Sequence, residues 1–168
     1  MSNKDKNIKT FLKPRTGKRI RQGYFVPKNP SKYKGDVTQI IYRSGWEFKF
    51  FKFCDENPMV IEYASEPVGI KYWNSLDKRE ANYWIDGYMK TKNASGQIKE
   101  WLIEVKPNKF ILPPTPPKRM TVKQTNSYMS HAKAYLVNTD KFRAAKAYAK
   151  AHNMRFGIIT ENFLFGKM

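Results

Sequence analysis

Asp86, Glu104 and Lys106 are the residues of this chain whose types and spacing could do chemistry. They lie in the stretches Tyr83-Trp84-Ile85-Asp86-Gly87-Tyr88 and Ile103-Glu104-Val105-Lys106. Both stretches read as strands, and the turn-forming Asn93-Ala94-Ser95-Gly96 between them predicts a hairpin. Alternate side chains of a strand share a face, so Glu104 and Lys106 point the same way, and pairing would bring Asp86 alongside. Two carboxylates and a lysine at a strand end suit magnesium-dependent cleavage of a phosphodiester. Hard oxygen ligands hold the metal, the metal activates water, and the ammonium steadies the attacking species. An exposed Glu104–Lys106 ion pair is the plainer reading, but it would be worth well under about 1 kcal/mol. Glu104 follows the apolar Trp101-Leu102-Ile103, and a carboxylate and a lysine on such a strand are costly without a purpose.

Several elements must position these residues. Ser44-Gly45-Trp46-Glu47 opens a helix that runs to about Glu56, with Trp46, Phe50, Phe53 and Cys54 as its apolar stripe, and Asn57-Pro58 stops it. Met59–Tyr63 and Val68–Tyr72 read as extended, with Pro67 imposing a bend or an edge between them. After Lys106 come Pro107, Pro113, Pro114, Pro116 and Pro117, a stiff loop ending in Lys118-Arg119. It reads equally as a spacer or as a basic flap beside the site. A helix is predicted from about Thr121 to Val137, and Thr139 can cap a second. Asn153 permits a turn into the β-branched run Met154–Thr160, a final buried strand. A hairpin plus a strand arriving through a helical crossover predicts an α/β fold with a mixed central sheet flanked by helices.

Composition narrows the partners. The 168-residue chain carries a formal net charge of +18, which points to a polyanion and above all to nucleic acid. No run of about 18 apolar residues, signal peptide or lipidation motif is present. With two His and one Cys, a zinc site is not credible and Cys54 excludes an intramolecular disulfide. Over residues 1–38, Lys and Arg recur from Lys4 to Lys34 against only Asp5 and Asp36, with no lasting apolar period. That segment reads as a basic arm in front of a domain over 39–168. It would either make phosphate contacts without sequence preference or serve as a solubilising tail.

An acid on a first helix, an Asp at a strand and Glu-x-Lys on the next strand resemble the PD-(D/E)XK nuclease superfamily. Tyr42–Glu47, Asp55–Val60, Ser65-Glu66-Pro67, Glu104–Pro107, Ala144–Tyr148 and Arg155–Glu161 look like the amino-terminal domain of the TnsA endonucleases. Together with the Pro-rich loop and the short length, these blocks most resemble the head-completion nucleases of contractile-tailed phages. Two positions depart from the superfamily pattern: Ile85 stands where Pro is usual before the Asp, and Gly87 where a bulky apolar residue is usual.

The resemblance implies a restriction-endonuclease-like core and a set of roles. Glu47, Asp86, Glu104 and Lys106 would be catalytic. Asp86, Glu104 and the Val105 carbonyl would hold Mg²⁺, for which Mn²⁺ would substitute. Glu47 has a second reading, because Ser44-x-x-Glu47 is also a capping box. Glu66 and Glu62 are lesser candidates for an outer acid, and Gln124-x-x-x-Tyr128 matches an accessory helical pair in one branch of the superfamily. Arg43, Lys49, Lys52, Arg79, Lys118, Arg119 and Lys123 would line the DNA path. The expected role is DNA cleavage in phage head completion, on packaged DNA before neck and tail attach. Portal or neck proteins would be partners, and the place the host cytoplasm or, if retained, the virion. The alternatives are a catalytically silent DNA-binding head-completion protein and a TnsA-like transposon-end endonuclease.

Overall fold

The computed structural model describes residues 22–119 and 121–166. Within them the chain divides into two compact units. One runs to Ser65 and includes Met89–Ile98; the other is Glu66–Tyr88 with Lys99 onward.

In the first unit, β1 (Gly23–Tyr24) pairs antiparallel with β2 (Ile41–Tyr42). Between them run two single turns of 3-10 helix, Pro30–Lys32 and Val37–Gln39. Phe25 is buried and sets its ring against Phe48 and Phe51 of α1 (Gly45–Glu56). The Ser44 hydroxyl accepts the Glu47 N–H at the start of α1, and Asn57 ends it in an extended conformation ahead of Pro58. Phe50, Phe51, Cys54 and Asp55 are the buried residues of this helix, so its inner face is turned from the expected stripe, and Trp46 and Phe53 are only half-buried. Asp55 explains the turn. Its carboxylate, 1% exposed, accepts the backbone N–H groups of Lys28 at 2.8 Å and Asn29 at 3.0 Å and the Tyr63 hydroxyl at 3.3 Å. Residues 22–38 are thereby packed structure rather than the free arm expected over 1–38; residues 1–21 lie outside the described residues. Burial pushes the Cys54 thiol well up, which makes it an inert core side chain. The unit continues with β3 (Val60–Ser65), whose Tyr63 carbonyl accepts Lys34 N–H.

The second unit begins at a bend. Glu66 adopts a positive φ of 43°, and with Pro67 it ends β3 as the proline predicts. β4 (Gly69–Asn74) and β5 (Arg79–Trp84) then form an antiparallel ribbon with Ile70 opposite Tyr83 and Trp73 opposite Glu80. Ile70, Tyr72, Asn74 and Tyr83 are buried, while Lys71, Trp73, Glu80 and Trp84 are exposed. β6 (Gly87–Lys92) and β7 (Ile98–Val105) follow, joined by a turn closed by Asn93 N–H to Gln97 O, with Gly96 at φ 81°; Met89–Ile98 of this hairpin is counted with the first unit. α2 (Val122–Ala151) crosses over to β8 (Arg155–Ile159), which runs parallel to β7 with Glu104 opposite Ile158. The short α3 (Glu161–Leu164) completes the described chain. The central four-stranded sheet has the order β3-β6-β7-β8, and the fold is mixed α/β with flanking helices.

Two expectations need correction. Tyr83–Tyr88 is not one strand: β5 ends at Trp84, β6 starts at Gly87, and Ile85-Asp86 bridge them. Tyr83 pairs with β4, so the turn at Asn93–Gly96 joins β6 to β7 instead. The two helices expected over 121–137 and from Thr139 are a single 30-residue helix. Asn138, Thr139 and Asp140 look like a cap, but their side chains are used elsewhere. Asn138 Nδ2 donates to Phe110 O, the Thr139 hydroxyl to Tyr135 O, and Asp140 accepts from Ser75. With no Gly or Pro among them, nothing interrupts the helical ladder.

Candidate active site

Glu104 sits on β7 and is 2% exposed. A buried carboxylate must be paired or hydrogen-bonded, and both its oxygens are. The Tyr83 hydroxyl donates to Oε2 at 2.5 Å, and Lys106 Nζ lies 2.9 Å from Oε1. Burial and the neighbouring Glu104 charge raise the Tyr83 pKa far above the phenol range, so Tyr83 remains the donor. Lys106 is just past β7, its backbone N–H given to Ile159 O of the parallel neighbour, its side chain 27% exposed. The pair therefore has a dry carboxylate end and a wetter ammonium end.

Asp86 reaches the same place from the β5–β6 junction. Its Oδ2 accepts the Val105 N–H at 2.8 Å, and its backbone carbonyl accepts Glu66 N–H at 3.2 Å. Ile85 N–H donates to Val68 O, so the ribbon pairing extends up to Asp86 before the chain leaves for β6. The break in the strand is what frees this carboxylate to turn towards β7.

Lys141 of α2 was missed in the sequence. Its Nζ stands 5.4 Å from the Tyr83 ring centroid and 5.9 Å from that of Tyr72, within cation–π range. Burial lowers its pKa, the Lys106 charge lowers it further, and Glu104 and Asp86 act in the opposite sense. It thus belongs to the same cluster of charges. Read as the first turn of a separate helix capped by Thr139, Lys141 gave no signal; its neighbour Asp140, bonded to Ser75 at the tip of the ribbon, is the reason it is there.

The remaining candidates distribute as follows. Glu47 belongs to the first unit, where Oε2 accepts the Arg43 N–H at 2.7 Å and Oε1 accepts the Ser44 hydroxyl at 2.9 Å, contacts of a helix cap. Arg43, Lys49 and Lys52 are in that unit too, as is Glu62, whose carboxylate lies 3.5 Å from Lys34 Nζ. Glu66 is half-buried and joined to Asp86 through the backbone. Arg79 begins β5 near Asp77, and Lys118, Arg119 and Lys123 are exposed around the start of α2. Gln124 is exposed and bonds Thr121 in the cap of α2. At 1.5 Å per residue, Gln124 and Tyr128 lie about 25 and 20 Å along the helix from Lys141, so the structure does not bring them to the cluster.

Among the described residues no group of three or more His, Cys, Asp and Glu side chains is arranged to hold a metal ion. The donor chemistry would suit a sparse magnesium set: two carboxylates, Asp86 turned to the Val105 N–H and Glu104 on the same strand next to Val105. Mg²⁺ keeps several waters and takes one or two protein carboxylates, so Asp86 and Glu104 fit it better than they would fit a fully protein-ligated cation.

Residues 57–161 match the family described as TnsA-like endonuclease, N terminal. The chain is also 40% identical over 142 residues to the head completion nuclease of Enterobacteria phage T4, an alignment covering 84% of this chain and 92% of that protein. No solved structure matches significantly. The family match starts beyond Glu47 and spans Asp86, Glu104, Lys106 and Lys141 together with β8. This chain belongs to the TnsA-like endonuclease N-terminal family.

Proposed function

We propose that the protein is a magnesium-dependent DNA endonuclease of phage head completion, with its centre at Asp86, Glu104 and Lys106. The observation that carries this reading is the buried Glu104 carboxylate, held between the Tyr83 hydroxyl and the Lys106 ammonium with Asp86 turned to the adjacent Val105 amide. Family membership, a relative named as a head completion nuclease and a net charge of +18 support it. PD-(D/E)XK chemistry fits the order of these residues.

Asp86, Glu104 and the Val105 carbonyl would hold Mg²⁺, with Mn²⁺ able to substitute. When bound, the cation supplies Lewis-acid activation of the phosphoryl group and of a water. The protein's own residues do the rest. Tyr83 fixes one Glu104 oxygen so that the carboxylate cannot rotate. The Lys106 ammonium, at the wetter end of the pair, moves from Glu104 towards the incoming phosphate and offsets charge developing on it. β7 and β8 hold Glu104 and Lys106 in fixed register, which supplies positioning. By resemblance to the PD-(D/E)XK nucleases, hydrolysis with water in line would leave a 5′-phosphate and a 3′-hydroxyl. Arg43, Lys49, Lys52, Arg79, Lys118, Arg119 and Lys123 would contact the DNA backbone, Glu47 and Glu66 would be outer acids, and residues 1–21 would add basic charge. In the host cell the protein would act on packaged DNA at the portal or neck of the head. Among the described residues no helix is long and apolar enough to cross a membrane.

A catalytically silent DNA-binding role is the second reading, favoured by one observation: both Glu104 oxygens are already engaged. Supercoiled-plasmid cleavage at low salt in Mg²⁺, Mn²⁺ or EDTA separates the two readings. Nicking or linearisation that requires metal, and is lost in Asp86→Ala and Lys106→Ala, is expected. Wild-type protein that binds the plasmid and leaves it intact would overturn the nuclease.

A further inference from the structure

Lys141 is a half-buried cation with an unusual setting. Its Nζ lies over the faces of Tyr72 and Tyr83, and among the described residues it has no carboxylate partner in a salt bridge. The position is enforced. Asp140, 8% exposed, accepts both the Ser75 backbone N–H at 2.9 Å and the Ser75 hydroxyl at 2.5 Å, and so ties the middle of α2 to the tip of the β4–β5 ribbon. Asn138, one turn earlier on the buried side, donates to Phe110 O just after β7. Both ties act within one turn of Lys141 in a 30-residue helix and so fix where its stem leaves the helix. The tyrosine beneath it is the one that donates to Glu104.

Placing an ammonium there costs free energy. It is partly desolvated, and a second ammonium, Lys106, is close enough to act on it. The two tyrosine faces and the more distant Glu104 and Asp86 charges offset only part of that cost, so that its pKa stays lowered. A ligand carrying negative charge would supply the remainder. We propose that Lys141 is a second phosphate-binding cation of this site, its ammonium taking a phosphate oxygen of the DNA strand that Lys106 faces. The proposal rests on the nuclease reading for its substrate and extends it to a residue on a different element. Tyr72 and Tyr83 act as the platform that aims the ammonium, and the Asp140–Ser75 tie holds α2 over that platform. Lys141 is thus a substrate-binding residue supplied by the crossover helix, on a different element from Lys106, which lies just past the end of β7.

The test compares full-length wild type with Lys141→Gln and Lys141→Arg. Binding to a short end-labelled duplex is measured in EDTA across a salt series, where nothing is cut. Loss of one phosphate contact is expected to reduce the slope of log K against log salt by about 0.9 in Lys141→Gln, with Lys141→Arg keeping the wild-type slope. In Mg²⁺, Lys141→Gln is expected to lower kcat/KM by at least about tenfold, with substantial recovery in Lys141→Arg. Thermal melting confirms folding, and Lys141→Met replaces Lys141→Gln if the latter melts early. An unchanged salt slope in a folded, uncharged variant would overturn the proposal, as would an arginine variant as impaired as the glutamine one. A wild type that binds but does not cut would remove the nuclease reading, while the slope would still decide whether Lys141 holds a phosphate.

Discussion

Tyr83→Phe isolates what holds Glu104. The substitution keeps the ring, and therefore the packing against Tyr72 and the platform under Lys141, and removes only the hydroxyl. That hydroxyl donates at 2.5 Å to a carboxylate that is 2% exposed, from a residue that is itself 4% exposed. A hydrogen bond to a charged group contributes about 1.5–3 kcal/mol, and because Phe fills the same space no cavity adds to it. For a chain of this size each kcal/mol moves Tm by about 2–4 °C, so a fall of about 3–12 °C is expected. The double-mutant cycle sharpens the reasoning. In a Glu104→Ala background the hydroxyl has no carboxylate to serve, and Tyr83→Phe should cost close to nothing, leaving a coupling energy of about 1.5–3 kcal/mol. The assay is urea unfolding of the four proteins. The reasoning would be refuted if Tyr83→Phe cost the same in both backgrounds, to within about 0.5 kcal/mol. A functional arm follows from the same geometry: a group that orients a metal-binding carboxylate typically carries about 10–100-fold in metal affinity or activity, so the Mg²⁺ dependence of cleavage should shift to higher concentration.

Three further outcomes follow. Hydrogen bonds from Ser75 hold the Asp140 carboxyl below the usual carboxylate range, so its contribution is complete above about pH 4 and is lost as pH falls through the lower folded value; chemical denaturation between pH 2 and pH 7 should show a shallower acid loss in Asp140→Asn than in wild type. Glu47→Gln keeps an oxygen able to accept the Arg43 N–H but removes the charge. If Glu47 acts as an outer acid, cleavage should fall by about tenfold or more with stability within about 0.5 kcal/mol of wild type; unchanged cleavage would leave it a cap alone. Asp55→Ala strips the Lys28 and Asn29 N–H groups of their acceptor and should cost on the order of 3 kcal/mol, read as a lower urea midpoint, whereas Asp36→Ala in the neighbouring exposed turn should leave the midpoint nearly unmoved.

The residues of the candidate site stood out in the sequence because they are unusual where they stand. Glu104 and Lys106 interrupt an apolar run, and only a site or a buried pair justifies them. Local punctuation was equally readable: Ser44 and Asn57-Pro58 frame α1, Pro67 bends the chain, and Asn153, at φ 56°, turns it into β8. What stayed hidden depended on partners distant in sequence. Tyr83–Tyr88 has strand-forming residues throughout, and nothing local reveals that the chain changes sheets at Ile85-Asp86. Asn138-Thr139-Asp140 carries every mark of a helix cap, and only the positions of Phe110 and Ser75 show why the helix continues. Lys141 and the role of Tyr83 both follow from those two tertiary choices. Asp55 was similarly invisible, because its partners are backbone amides in a segment whose charge suggested an arm.

The most direct test of the central claim is single-turnover cleavage of an end-labelled DNA duplex by Glu104→Gln, with binding to the same duplex measured in parallel. The substitution keeps the shape of the side chain and an oxygen for Tyr83 while removing the negative charge. Binding within about threefold of wild type together with a loss of cutting of about 10²-fold or more is expected if this carboxylate is the catalytic centre. Cutting at the wild-type rate by a folded Glu104→Gln protein would place the chemistry elsewhere and contradict the account.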